Sequence, residues 1–171
     1  MLNKLAYRQL SETDLNSFFS LRLEALQKYP SYFLATYEHE KACGNQFFAE
    51  ILRANALENV IFGAFERECL IGIVGIYQEK AVKVAHKCTV WGMYVKVEYR
   101  KQGVGKRLLE MAIDHAEQKM HGSVINLSVE SNNLTAMGLY EAHGFKAWGK
   151  EPKAKYVNEA YHDLVHMSLL L

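Results

Sequence analysis

Hydrophobic and polar positions along this chain recur with periods that predict a succession of short strands and amphipathic helices. Residues 5–9 read as a first strand, and Ser11, Glu12, Thr13 and Asp14 then supply capping side chains for a helix running to about residue 29, where Pro30 closes it. Phe18, Leu21, Leu23, Ala25 and Leu26 give that helix its apolar surface, interrupted by Arg22 and Glu24. A second helix is predicted over 40–57, with Phe47, Phe48, Ile51 and Leu52 on its buried side. Between the two lies an aromatic segment, 31–37, of a composition that serves either to line a pocket or to fill a core edge.

The pattern then turns to strands. Apolar runs at 60–65 and 69–77 form a hairpin through 66–68, and a third strand covers 86–95. Gly92 inside that third strand weakens pairing and marks a bulge or a close backbone approach. A helix over 103–119 gathers Leu108, Leu109, Ala112, Ile113 and Ala116 on one face. An alternating strand at 123–130, cap residues Ser131, Asn132 and Asn133, and a helix ended by Gly144 follow. Two last strands are predicted at 145–151 and 161–170, joined by a linker at 152–159. No repeat, linker or low-complexity stretch divides the chain, so residues 1–171 are read as one α/β domain.

Composition narrows the function classes. With 171 residues, half of them hydrophobic, the chain is long enough to bury a sizeable core. Its 20 Lys and Arg stand against 19 Asp and Glu, a balance that argues against nucleic acid or an anionic membrane as partner. No apolar run approaches the length of a transmembrane helix and the first residues lack a signal-peptide core, so a soluble, cytoplasmic protein is expected. Cys43, Cys69 and Cys88 lack metal-type or redox-type spacing and read as reduced structural thiols. His162 and His166 sit in a period-two pattern without a ligand cluster, so sheet-face histidines and no metal are expected.

The chemistry concentrates in Arg100, Lys101, Gln102, Gly103, Val104, Gly105, Lys106 and Arg107, which follow an apolar strand and open a helix. Two glycines permit turn geometries closed to other residues, and a helix N-terminus adds free N–H groups, so the segment describes a nest for a polyanion such as a pyrophosphate. A Walker-type loop would need Gly at position 100 and Ser or Thr at 107, where this chain has Arg100 and Arg107. A dinucleotide fingerprint would need Gly at 108, which is Leu108. What remains, Arg-x-x-Gly-x-Gly after a strand, resembles the acyl-CoA-binding signature of the GCN5-related N-acetyltransferase (GNAT) superfamily. A second segment strengthens the resemblance: the strand at 123–130, the Asn133-x-x-Ala136 step, the Leu139-Tyr140 pair and the Gly144-Phe145 exit recur in that order in the superfamily.

The resemblance implies a mixed central sheet of about six to seven strands, flanked by about four helices, with two central strands splayed apart. It also implies acetyl-CoA as cosubstrate, no metal, and transfer of the acetyl group to a primary amine of a small molecule or peptide by direct attack in a ternary complex. A homodimer is compatible with it. Such a transfer needs a neutral amine, a held carbonyl, donors for the developing oxyanion and a proton source for the leaving thiolate. By the resemblance, Met93, Tyr94 and Val95 pair with the pantetheine arm as if it were another strand. Arg100, Lys101, Gln102, Gly103, Val104, Gly105 and Lys106 hold the pyrophosphate, and Asn133 bonds the pantetheine or phosphate region over a surface kept low by Ala136. Tyr140 then points its hydroxyl at the CoA sulfur as the proton donor.

The acceptor side is assigned to Glu24, Tyr32, Tyr37 and Asp163, which the cofactor leaves without work. The strand before the phosphate loop carries no carboxylate between 90 and 95. The general base is therefore left open among Glu24, Glu130 and Asp163, acting directly or through water. Two other readings stand beside this one: a non-catalytic acyl-CoA-binding regulatory module, and a protein N-terminal or lysine acetyltransferase.

Overall fold

The apolar runs after residue 59 are continuous rather than alternating because both of their faces are covered in the computed structural model, which describes residues 5–53 and 59–171. Seven strands, β1 (Leu5–Gln9), β2 (Asn59–Glu66), β3 (Cys69–Gln78), β4 (Lys87–Val95), β5 (Val124–Glu130), β6 (Lys146–Val157) and β7 (Ala160–Leu170), form one mixed sheet. Their order is β1-β2-β3-β4-β5-β7-β6, and every neighbouring pair is antiparallel except β4 with β5. Among the described residues five α-helices flank the sheet: α1 (Leu15–Lys28), α2 (Tyr37–Cys43), α3 (Gln46–Arg53), α4 (Val104–Gln118) and α5 (Leu134–Ala142).

Two cores occupy the two faces. Val60, Phe62 and Ala64 of β2 join Leu108, Leu109, Ala112 and Ala116 of α4 in one; Ile61 and Phe65 join Phe18, Leu21 and Ala25 of α1 and Phe48 of α3 in the other. The alternation along β2 thus assigns successive side chains to opposite cores. A parallel pair needs a crossover, and α4 supplies it between β4 and β5.

Three predicted elements differ. The single helix over 40–57 is replaced by α2 and α3, because Gly44 adopts φ +73 and ends α2, whose start is capped by Thr36 accepting from the His39 N–H; residues 54–57 of that prediction lie outside the described residues. The helix predicted from residue 11 opens instead with a 3₁₀ turn, Glu12–Asp14, before α1. The linker predicted at 152–159 is mostly strand: β6 continues to Val157 past an irregularity between Glu151 and Lys155. Asp163 Oδ1 accepts the Lys153 N–H at 2.8 Å, and its Oδ2 meets Lys150 Nζ at 3.0 Å, which pins the bulge onto β7. The true turn is only Asn158 and Glu159, both at positive φ as a two-residue primed hairpin requires. Among the described residues no helix is long and apolar enough to cross a membrane.

Candidate active site

The site begins with a failure of strand pairing. β4 and β5 pair only at Lys87–Val124, Cys88–Ile125 and Thr89–Asn126, after which both strands continue without a mutual register. On its other edge β4 is bulged: Trp91 faces Gly75 and Tyr94 faces Ile73, so β4 advances three residues while β3 advances two. Gly92, at φ +63, absorbs the extra residue. The bulge reverses the alternation, sending Met93 and Val95 toward the α4 core and Trp91 and Tyr94 toward the α1 core. Trp91 lies so close to Gly75 that a Cβ there would sit 2.2 Å from its ring.

The glycine turn follows. Lys101 and Gly103 take positive φ (+60 and +82), turning the chain sharply into α4. Gly103 is the N-cap without a side-chain cap, and the first bond of the helical ladder runs from the Arg107 N–H to the Gly103 carbonyl at 3.0 Å. Val104, Gly105 and Lys106 precede it, with N–H groups that an α-helix leaves without acceptors. A Cβ on Gly105 would meet Met93 Cε at 3.3 Å and Leu139 Cδ2 at 3.5 Å, so this glycine keeps the floor between β4 and α5 low. Lys106 is exposed and only loosely paired with Glu110, at 3.9 Å.

Arg100 behaves otherwise than its place in the motif suggests. Its Nε donates to the Val95 carbonyl and its Nη1 to the Tyr29 hydroxyl, both at 2.9 Å, with the guanidinium over the Tyr29 and Tyr94 rings. It locks the turn to β4 and to the end of α1. The Gln102 side chain is tied back to the Glu98 carbonyl.

From the other wall, α5 contributes Asn133, Ala136 and Tyr140. Asn133 Oδ1 accepts the Ala136 N–H at 3.2 Å as the N-cap. Tyr140 is 7% exposed, and its hydroxyl donates to Met93 Sδ at 3.6 Å, a weak acceptor. Burial pushes the phenol up to about 12, so it stays protonated through the neutral range.

These parts meet in one cavity of about 510 Å³. Among its lining residues are Met93, Tyr94, Val95, Arg100, Lys101, Gly103, Val104, Gly105, Lys106, Asn133, Ala136 and Tyr140. Of the residues predicted for the acceptor, Tyr32 lines it, whereas Glu24, Tyr37 and Asp163 do not. Glu24 is engaged by the Tyr94 hydroxyl and Lys28, both at 2.9 Å; Tyr37 opens α2 beneath Lys41; Asp163 holds the β6 bulge.

Sequence reasoning missed several residues around the splay. Tyr29 and Phe33 line the cavity beside Tyr32, and Ser128 lines it from β5. Arg22 is buried behind the bulge, paired with Glu40 at 2.8 Å and stacked on Phe33. Among the described residues its Nη1 has no hydrogen-bond partner, and it lies 3.6 Å from where a Cβ on Gly92 would sit. Glu130 is also buried, held by His162 at 2.9 Å, and Lys155 reaches the Ser31 carbonyl close by. Desolvation lowers the Lys155 pKa. For Arg22 and Ser128 the local signal was polar identity inside otherwise apolar segments, whereas Phe33 lay in the aromatic segment 31–37 and Glu130 was already among the candidate bases.

A sheet whose central strands part beside a glycine-rich helix start and a buried tyrosine has the splayed form that the resemblance to acetyltransferases implied. The chain matches the acetyltransferase (GNAT) family over residues 16–145 and belongs to it, as an acetyl-CoA-dependent N-acetyltransferase. It is 30% identical over 125 residues, 73% of this chain and 70% of the other, to an N-alpha-acetyltransferase of Saccharolobus solfataricus. It is 26% identical over 145 residues, 81% of this chain and 86% of the other, to a spermidine N(1)-acetyltransferase of Thermoplasma acidophilum. Its fold superposes on the crystal structure of a GNAT-family acetyltransferase from Streptococcus pneumoniae with a TM-score of 0.85 at 22% identity, covering 98% and 100% of the two chains.

Proposed function

We propose that the cleft between β4 and β5 binds acetyl-CoA and that the acetyl group passes directly to a primary amine bound in the same complex. The observation that carries this reading is the single cavity lined at once by the β4 bulge, the glycine turn and Tyr140. The pyrophosphate would sit on the N–H groups of residues 102–106, with Lys101 and Lys106 adding charge. The pantetheine arm would pair with the main chain of Met93, Tyr94 and Val95, whose edge lost β5 as a partner. A thioester oxygen at the Gly92 bulge would receive main-chain donors with the Arg22 guanidinium behind them. Tyr140 would give its proton to the departing thiolate.

The acceptor end is bounded by Tyr32 and Phe33, which suit the flank of an amine-bearing chain. The two relatives named for their acceptors act on an N-alpha amine and on spermidine, so a peptide amino terminus and a polyamine are the two acceptors to compare. Calorimetry with acetyl-CoA tests the cofactor half. Gly103→Val strains a positive φ and Gly105→Val fills the floor, so each is expected to weaken affinity at least 10-fold in a folded protein. Unchanged affinity in both would overturn the assignment. A thiol-release assay over the amine panel should give intersecting initial-rate lines, and parallel lines would exclude direct attack.

A further inference from the structure

Ser128 is the first residue of β5 beyond the last β4–β5 pair whose side chain shares the face of Asn126, which places it at the mouth of the splay, and it lines the cavity. Its register partner on β7 is His166, and Ser128 Oγ lies 2.8 Å from His166 Nδ1. On the far side of the ring, His166 Nε2 lies 3.0 Å from Glu151 Oε2 on β6. Trp148 stacks on the imidazole with centroids 5.3 Å apart and planes at 23°. A hydroxyl in the cleft is therefore backed by an imidazole, which is itself oriented by a carboxylate and fixed by an indole.

We infer that Ser128, His166 and Glu151 form a proton relay that takes the proton from the attacking amine. The inference rests on the amine-acetylation reading and supplies the base that β4 lacks. Glu151 accepts from Nε2–H, which leaves the Nδ1 lone pair facing Ser128. As the amine nitrogen bonds to the thioester carbon, its proton passes to Ser128 Oγ while the serine's own proton moves to His166 Nδ1, and the imidazolium is held by Glu151. The tetrahedral intermediate then breaks its C–S bond, and the thiolate takes the Tyr140 proton. Solvent returns a proton to Tyr140 and removes one from His166, so the amide and the free thiol are the sole products. The carboxylates considered from sequence are otherwise engaged, Glu24 by Tyr94 and Lys28, Asp163 by Lys150 and Lys153, and Glu130 by His162.

Charged and titratable groups lie on the strands beside His166. Glu151 touches it from β6; the Lys150–Asp163 and Glu130–His162 pairs lie along the same strands; Lys155 of β6 reaches the Pro30–Tyr32 turn, which packs over β5 and β6. Ser128 and His166 lie on a partly open sheet face, so their variants are expected to fold.

The test is the pH profile of kcat/KM for the full chain with acetyl-CoA and an accepted amine. Ser128→Ala and His166→Gln should each lower kcat about 100-fold or more while acetyl-CoA affinity stays within about threefold. The profile of His166→Gln should differ in shape from that of the parent, where a merely structural loss would lower it evenly at every pH. The double variant should be no slower than either single one, because the two act as a unit. Parent-like rates and profiles in both single variants would overturn the relay alone. Acetyl-Ser128 trapped by rapid quench and mass spectrometry would also overturn it, since the serine would then be a nucleophile. Absence of amine turnover in the parent enzyme, despite acetyl-CoA binding, would overturn the underlying reading and the relay with it.

Discussion

Replacing Tyr140 by phenylalanine removes one buried oxygen and leaves the ring in place against Phe145, 5.9 Å away between centroids. The lost oxygen contacts Met93 Sδ at 3.6 Å, and a thioether is a weak acceptor, so little hydrogen-bond energy is forfeited. Burying a hydroxyl with so poor a partner costs about 1–3 kcal/mol, part of which the variant recovers. Tyr140→Phe is therefore expected to be as stable as the parent or more stable by about 1 kcal/mol, a rise in Tm of roughly 2–4 °C for a domain of this size. Turnover should move the other way, falling about 100- to 1000-fold with acetyl-CoA affinity nearly unchanged, as loss of a general acid requires. The sign of the pH effect can be worked as well. Burial raises the folded phenol to about 12 from 10.0, so between those values the unfolded chain releases a proton that the folded chain retains. Stability should thus decline from pH 10 toward 12 more steeply in the parent than in Tyr140→Phe. Thermal melts, calorimetry and a thiol-release assay on the same preparations decide the matter. Full turnover, or a Tm several degrees lower, would refute the reasoning and make Tyr140 a packing residue.

Two further outcomes test the scaffold around the cleft. Gly75→Ala puts a Cβ 2.2 Å from the Trp91 ring, which is tied to Asn59 through its Nε1 at 3.2 Å and cannot swing aside freely. Overpacking of that kind costs about 1–3 kcal/mol, so Tm should fall several degrees and acetyl-CoA affinity should weaken with it, whereas a parent-like melt would mean that the β4 bulge is soft. Asp14 receives two bonds of 2.7 Å from Arg8, and that guanidinium is the main cause holding its carboxyl below the ordinary 3.8. A depressed folded pKa contributes stability that is present above 3.8 and lost as pH falls through the lower folded value. The gap in Tm between the parent and Asp14→Asn should be fully open at pH 5 and close at lower pH; a constant gap would assign the effect to packing.

Local chemistry was legible in the chain, because a glycine turn and a helix start act through their own backbone. The Gly103 and Gly105 turn, the Asn133 cap and the bulge signalled by Gly92 follow from residue type and spacing, whereas the place of Tyr140 at the cleft came from the family resemblance. Strand identities were also readable, since period-two patterns and two-faced apolar runs each report a distinct burial. What the chain alone left undecided is which polar groups meet across strands distant in sequence. Arg100 sits in the phosphate motif, yet its guanidinium is captured by Val95 and Tyr29, a contact that exists only once α1 packs against β4. Asp163 reads as a free carboxylate until the register of β7 with β6 sets it under the Lys153 N–H. Ser128 and His166 are 38 positions apart, and His166 and Glu151 are 15 apart. Only the order β5-β7-β6 makes them neighbours, because side chains meet across a sheet by register, and a one-residue slip would turn each to the opposite face.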